Sequence, residues 1–208
     1  MADLYANFGA LKKAYKMRTQ FDLRMKKGSS GIIYLTPHGG GIETGASELC
    51  EFSCDPEDSY FIFDAKLSTG NSDMHVTSTH FDEPNARRLV GQHDIAVSYH
   101  GYSDSAVKNT KVGGLDEALR NYIGAEFTAA GIPWEQEPFE SSIAGAEPDN
   151  ICNITRRGMG VQLEISTLQR TSFFGTNTGA QRRNTRLAEF DNYVAAVKRA
   201  VAKRKAEL

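Results

Sequence analysis

Short strand-like runs alternate with helix-period segments along most of this chain, and that alternation limits its fold more than any other feature. Gly31 to Leu35 (GIIYL) is a brief apolar run, the pattern of a buried strand. Tyr60 to Ala65 (YFIFDA), rich in aromatic and β-branched residues, reads as a strand, and Met74 to Thr79 (MHVTST) reads the same way. Asp94 to Tyr99 (DIAVSY) and Val161 to Ile165 (VQLEI) alternate with the period of two that half-buried strands show. Between these runs, helices are predicted over Glu43 to Ser53, Pro84 to Val90 and Leu115 to Ala130. A long helix over Asn184 to Lys205 closes the pattern, with Leu187, Phe190, Val194, Val197 and Val201 on one stripe. Strands and helices in this order predict an α/β domain: a central mixed, mostly parallel sheet flanked by helices.

Composition sets the outer bounds. A chain of 208 residues, 40% hydrophobic and 24% charged, suits one globular domain over residues 1–208 and excludes a disordered chain. No run approaches the ~18 apolar residues of a membrane span, and the first residues lack a secretory signal. Three cysteines are too few for a disulfide framework and favour folding in a reducing compartment. The expectation is cytoplasmic synthesis, with release by host lysis as one route out, and no membrane partner. A net charge of -2 argues against a generally basic nucleic-acid binder. Charge is nevertheless uneven. Between Ile151 and Arg186 stand Arg156, Arg157, Arg170, Arg182, Arg183 and Arg186, against a single acid, Glu164. Such a bias fits an anionic ligand, or a solvated face whose acids lie elsewhere in space.

Three places carry residues fit for chemistry. The segment TPHGGGIE (Thr36 to Glu43) follows an apolar strand directly, at the sheet edge where ligands gather in open α/β folds. Its glycines let the backbone turn sharply, so His38 and Glu43 can reach one point, a pair suited to zinc. It lacks the Lys-Ser/Thr of a phosphate-binding loop. His100, at the end of DIAVSYHG, also falls at a strand's carboxyl end. It shares a face with Ala96 and Ser98, opposite Ile95, Val97 and Tyr99. Two histidines and a carboxylate would leave a fourth metal position for water, the arrangement of a catalytic zinc site. Glu164, in GVQLEIS, points with Gln162 and Ser166 away from Val161, Leu163 and Ile165. It is either paired to Arg156 or Arg157, or a general base. His75 is expected in a pocket wall or core, and His80 and His93 at the surface. Cys50 and Cys54 read as helix packing positions.

These segments together resemble the phage-type poly-γ-glutamate hydrolases. The resemblance rests on PHGGGIE, a later strand ending in His-Gly, and a late Gly-Val-Gln-Leu-Glu. It is strengthened by HVTSTHFDEP, GGLDEAL and NICN, and runs from about Tyr5 to Arg199. It implies a fold similar to the zinc carboxypeptidases, one zinc ion per chain held by His38, Glu43 and His100, and Glu164 as general base. NICNITRRG departs from the expected Asn-Arg-Gly spacing, leaving both Arg156 and Arg157 as candidates for binding substrate carboxylates. Lys108, Lys111 and Arg120 are weaker candidates along a polymer.

The leading expectation is therefore a zinc-dependent hydrolase of the γ-glutamyl amide bonds of poly-γ-glutamate. One alternative is an amidase or carboxypeptidase acting on peptidoglycan-type γ-glutamyl peptides. Another is a non-catalytic module that binds an anionic polymer without metal.

Overall fold

Side-chain alternation sorts the strands' residues onto two faces of one sheet. The computed structural model describes residues 3–208. Its strands are β1 (Phe21–Lys26), β2 (Ile32–Gly40), β3 (Ser59–Ala65), β4 (Ile95–Tyr102), β5 (Thr110–Gly114), β6 (Trp134–Gln136) and β7 (Val161–Ser166). They form a seven-stranded sheet in the order β1-β3-β2-β4-β7-β5-β6. The centre, β3-β2-β4-β7, is parallel, as is the β5-β6 pair. Antiparallel pairing joins β1 to β3 and β5 to β7. The sheet is thus mixed and mostly parallel, as the alternation of elements predicts.

Helices cover both faces. On one, α2 (Ala46–Ser53), α4 (Glu117–Ala129) and α6 (Ala188–Lys205) pack over Tyr34, Val97, Tyr99, Leu163 and Ile165. On the other, α1 (Phe8–Ala14) and α3 (Pro84–Val90) cover Ile33, Leu35, Phe61, Phe63 and Ala96. Phe8, Phe21, Phe63 and Phe81 form an edge-to-face and stacked aromatic cluster in this second core. A short helix, α5 (Thr167–Ser172), follows β7 immediately.

Some expected elements are absent or shifted. Met74 to Thr79 is not a strand. Asn71–Met74 is a 3-10 turn, His75 N–H closes a turn onto Ser72, and the Thr77 amide is taken by Asp3. Turns and the Asp3 side chain thus take N–H groups that a strand ladder would have used. The helix predicted from Glu43 begins only at Ala46, because Gly45 is left-handed (φ 97°) and serves as its N-cap. The last helix begins at Ala188, and Leu187, expected on its buried stripe, is its N-cap and is exposed. His93, expected at the surface, is buried between the Leu89 carbonyl and Ser59. Among the described residues, no helix is long and apolar enough to cross a membrane.

Candidate active site at the carboxyl edge of the sheet

The site begins with an irregularity in β2. Leu35 and Thr36 pair with Phe61 and Ile62, but the next paired residue is Gly39, against Asp64. β2 therefore carries one residue more than β3 here, a bulge that Pro37, which has no N–H to donate, accommodates. Beyond it, Gly40 has φ 68° and lies so close to Ala65 that any Cβ would strike that backbone. Only glycine meets both demands. The Glu43 amide then bonds the His38 carbonyl (2.9 Å), folding Glu43 back over His38.

Two imidazoles and a carboxylate meet in this fold. His38 Nδ1 lies 3.0 Å from His100 Nδ1 and 3.2 Å from Glu43 Oε1; His100 Nδ1 lies 3.6 Å from Glu43 Oε2. All three residues are buried. His38 Nε2 donates to the Val76 carbonyl (2.8 Å), which leaves its Nδ1 lone pair facing inward. His100 Nε2 meets the Ser98 hydroxyl at 2.7 Å, giving that ring the same orientation. Glu43 Oε2 is buried and lacks a hydrogen-bond partner. His75 stacks on the His38 ring, centroids 3.9 Å apart. His38, Glu43 and His75 also offer ligand atoms within 4.8 Å of one another. However, His75 Nδ1 is already bonded to Asp3 Oδ1 at 2.7 Å.

β4 and β7 run in register with His100 directly beside Glu164, so both side chains leave the same face about one strand spacing (~4.8 Å) apart. Gln162 Nε2 donates to Glu164 Oε1 (2.9 Å). No ion pair joins Glu164 to Arg156 or Arg157, or to any other described residue. Burial, reinforced by the charge of Glu43, raises the Glu164 carboxyl to about 8. Burial opposes the charge on His38 and Glu43 as well, yet their mutual attraction wins, raising His38 and lowering Glu43. His100, where burial dominates, falls to about 3 and is a neutral imidazole at neutral pH.

The arginines divide differently from expectation. Arg156 is exposed and pairs with Asp94 (3.2 Å), just before β4; Arg157 pairs with Asp116 (2.7 Å). Asp94 and His100 lie at opposite ends of the strand, ~20 Å apart at ~3.3 Å per residue. Neither arginine belongs to the site; both have structural acids as partners. Lys108 pairs with Glu189. Lys111, opposite Glu164 on β5, is tied to Glu135 and Glu137. Arg120 is buried against the Gly114 and Glu137 carbonyls.

The arginine that does reach the site is Arg170 on α5. Its guanidinium lies over Gly101, where a Cβ would strike it, and donates to the carbonyls of Ile165 (3.0 Å) and Thr44 (2.9 Å). It is buried, and no described carboxylate pairs with it. It stood unresolved within the arginine-rich segment of the sequence. No local signal singles it out, because the six residues of α5 (TLQRTS) carry too weak an apolar pattern to mark a helix.

The fold and site define an α/β protein with a buried His-His-Glu cluster and a proton-holding carboxyl at the carboxyl edge of its sheet. The family model described as poly-gamma-glutamate hydrolase matches residues 5–196. The chain is 39% identical over 196 residues to the SPbeta prophage-derived UPF0714 protein YoqZ of Bacillus subtilis (strain 168), covering 94% of this chain and 70% of that protein. A solved structure of a bacteriophage poly-gamma-glutamate hydrolase superposes with a TM-score of 0.93 at 39% identity, covering 100% of both chains. A zinc-free apo structure of YNDL gives 0.92 at 34% identity, covering 98% of this chain and 99% of that one. The chain belongs to the poly-gamma-glutamate hydrolase family, and is a hydrolase acting on amide bonds.

Proposed function

We propose that this protein is a zinc-dependent enzyme that cleaves the γ-glutamyl amide bonds of poly-γ-glutamate, binding one zinc ion through His38 Nδ1, Glu43 and His100 Nδ1. One observation carries the metal reading. Three donors on two strands and a loop converge at 3.0–3.6 Å, with the buried Glu43 Oε2 unpartnered. Tetrahedral zinc with bonds of ~2.0–2.1 Å needs donors ~3.3 Å apart. A buried carboxylate oxygen without a partner is costly unless a cation faces it. His75 is held outward by Asp3 and belongs to the rim of the site. The zinc-free form of YNDL supports the choice of metal.

Bound zinc would supply Lewis-acid polarisation of the scissile carbonyl and lower the pKa of water. The chain's own residues supply the rest. The charge of a bound cation would favour the ionised form of Glu164, whose Oε1 is fixed by Gln162; its Oε2 can then take a proton from the attacking water and return it to the leaving amine nitrogen. Arg170 retains N–H groups not engaged by Ile165, Thr44 or Thr167. They can bind a substrate carboxylate or the oxygen that gains charge during attack. Incubating the zinc-loaded protein with poly-γ-glutamate and sizing the products tests the reading. Progressive shortening that a chelator abolishes and zinc restores is expected. An intact polymer with stoichiometric zinc bound would overturn it.

A further inference from the structure

The NICN segment (Asn150 to Asn153) takes no part in the chemistry above, yet both its asparagines are buried. They are used differently. Asn153 holds backbone: Nδ2 donates to the Gly145 and Glu147 carbonyls, and Oδ1 accepts from the Gly160 amide, which pins the preceding loop. Asn150 reaches towards the site. Its Oδ1 accepts from the Cys152 N–H (3.1 Å), and its Nδ2 donates to Gln162 Oε1 (3.0 Å). Gln162 Nε2 then donates twice, to the Ile143 carbonyl (3.3 Å) and to Glu164 Oε1 (2.9 Å).

The two ends of this relay fix its direction. A backbone N–H only donates, so Asn150 must turn Oδ1 to Cys152 and Nδ2 to Gln162. A backbone carbonyl only accepts, so Gln162 must turn Nε2 to Ile143, and the second hydrogen of that nitrogen meets Glu164. Inverting either amide would set donor against donor and acceptor against acceptor in a buried place. Gly145 packs so closely that a Cβ on it would strike the Gln162 amide, which leaves the amide no room to swing. In the sheet, Gln162 stands beside Ser98 as Glu164 stands beside His100. Ser98 meets the His100 ring, and Gln162 meets the Glu164 carboxyl. A glutamine alone could offer a carboxyl either end of its amide; Asn150 removes the choice.

We infer that Asn150 is a positioning residue for the hydrolysis: acting through Gln162, it keeps an N–H on Glu164 Oε1, so that Oε2 is the oxygen that exchanges protons with the reacting groups. The inference rests on the base role of Glu164 proposed above, and the tests separate the two. Asn150→Asp keeps an oxygen for the Cys152 amide but replaces the N–H2 with an oxygen that attracts Gln162 Nε2. Its kcat on the polymer should fall about 10-fold or more, with KM and zinc content near wild type. Gln162→Leu should lose a similar factor. Adding Asn150→Asp to it should cost no more than about twofold further, because Asn150 then has no amide to orient. A readout without turnover is the nuclear Overhauser contact between the Gln162 side-chain amide protons and the Glu164 Hγ protons in chelator-treated protein. It should be present in the wild type and lost in Asn150→Asp. Should thermal melts show that Asn150→Asp fails to fold, Asn150→Ser carries the same expectations, since its hydroxyl can still accept from Cys152 but is too short to reach Gln162. Wild-type kcat in a folded Asn150 variant, losses that multiply in the double variant, or a contact that persists would overturn the relay. The kcat of Glu164→Gln decides the base itself independently.

Discussion

Glu164 is where charge and burial are most opposed in this protein. Its carboxyl holds a proton up to about pH 8, against an ordinary value of 4.5, because burial and then Glu43 disfavour its ionised form. The folded state therefore binds a proton that the unfolded state has lost between those two values. Stability from this group is full below pH 4.5 and falls as pH rises to about 8. In chelator-treated protein, Glu164→Gln should melt near the wild-type temperature at pH 4 and several degrees above it at pH 8.5. The same variant, loaded with zinc, should keep its metal and lose ~10²–10⁴-fold in kcat, the usual contribution of a positioned proton carrier. Wild-type kcat in that variant would exclude Glu164 from proton transfer. Arg170→Gln removes a buried charge with no protein counter-ion. It should leave zinc content intact while lowering kcat/KM on the order of 10²-fold, measured on the sized polymer.

At the scale of elements, the site depends on a turn that only glycine can make and on an ion-pair knot that stands far from it. Gly40→Ala would place a Cβ against the Ala65 backbone in a left-handed conformation. A loss of ~1–3 kcal/mol from the backbone alone is expected, with further loss from the collision. Because β2 carries both His38 and the turn to Glu43, zinc affinity should fall along with the melting temperature. The knot is Asp116, the N-cap of α4, whose buried carboxylate accepts from Arg157 and from Arg204 near the end of α6. Arg157→Ala should lower the melting temperature but leave KM for the polymer unchanged. A raised KM with normal stability would return Arg157 to substrate binding. The sequence placed this arginine in an anion-binding segment because its acidic partner is distant along the chain and invisible to local charge counting.

At the scale of the whole molecule, two apolar cores hold the sheet from either side, so the fold does not require a metal to form. Zinc should stabilise it by mass action, by ~4 kcal/mol when free zinc is ~1,000 times its Kd. That corresponds to a rise in melting temperature on the order of 10 °C for a chain of this size, reversed by chelation. A melting curve indifferent to both zinc and chelator would contradict the proposed site. What the sequence determined by itself was local. Apolar runs and period-two alternation marked the central strands and the faces on which His100 and Glu164 stand, since strand geometry alone decides those. The glycine turn after β2 was legible for the same reason. Elements with weak apolar patterns, such as β5 (TKVGG) and α5 (TLQRTS), were not, because their burial comes from neighbours distant in sequence. Tertiary structure alone decided which cations face the site. It set Arg170 over Gly101, sent Arg156 and Arg157 to the opposite edge, stacked His75 on His38 and joined Arg182 to Glu48. A long side chain's partner depends on which elements the sheet order brings together, and that order is a property of the packed molecule.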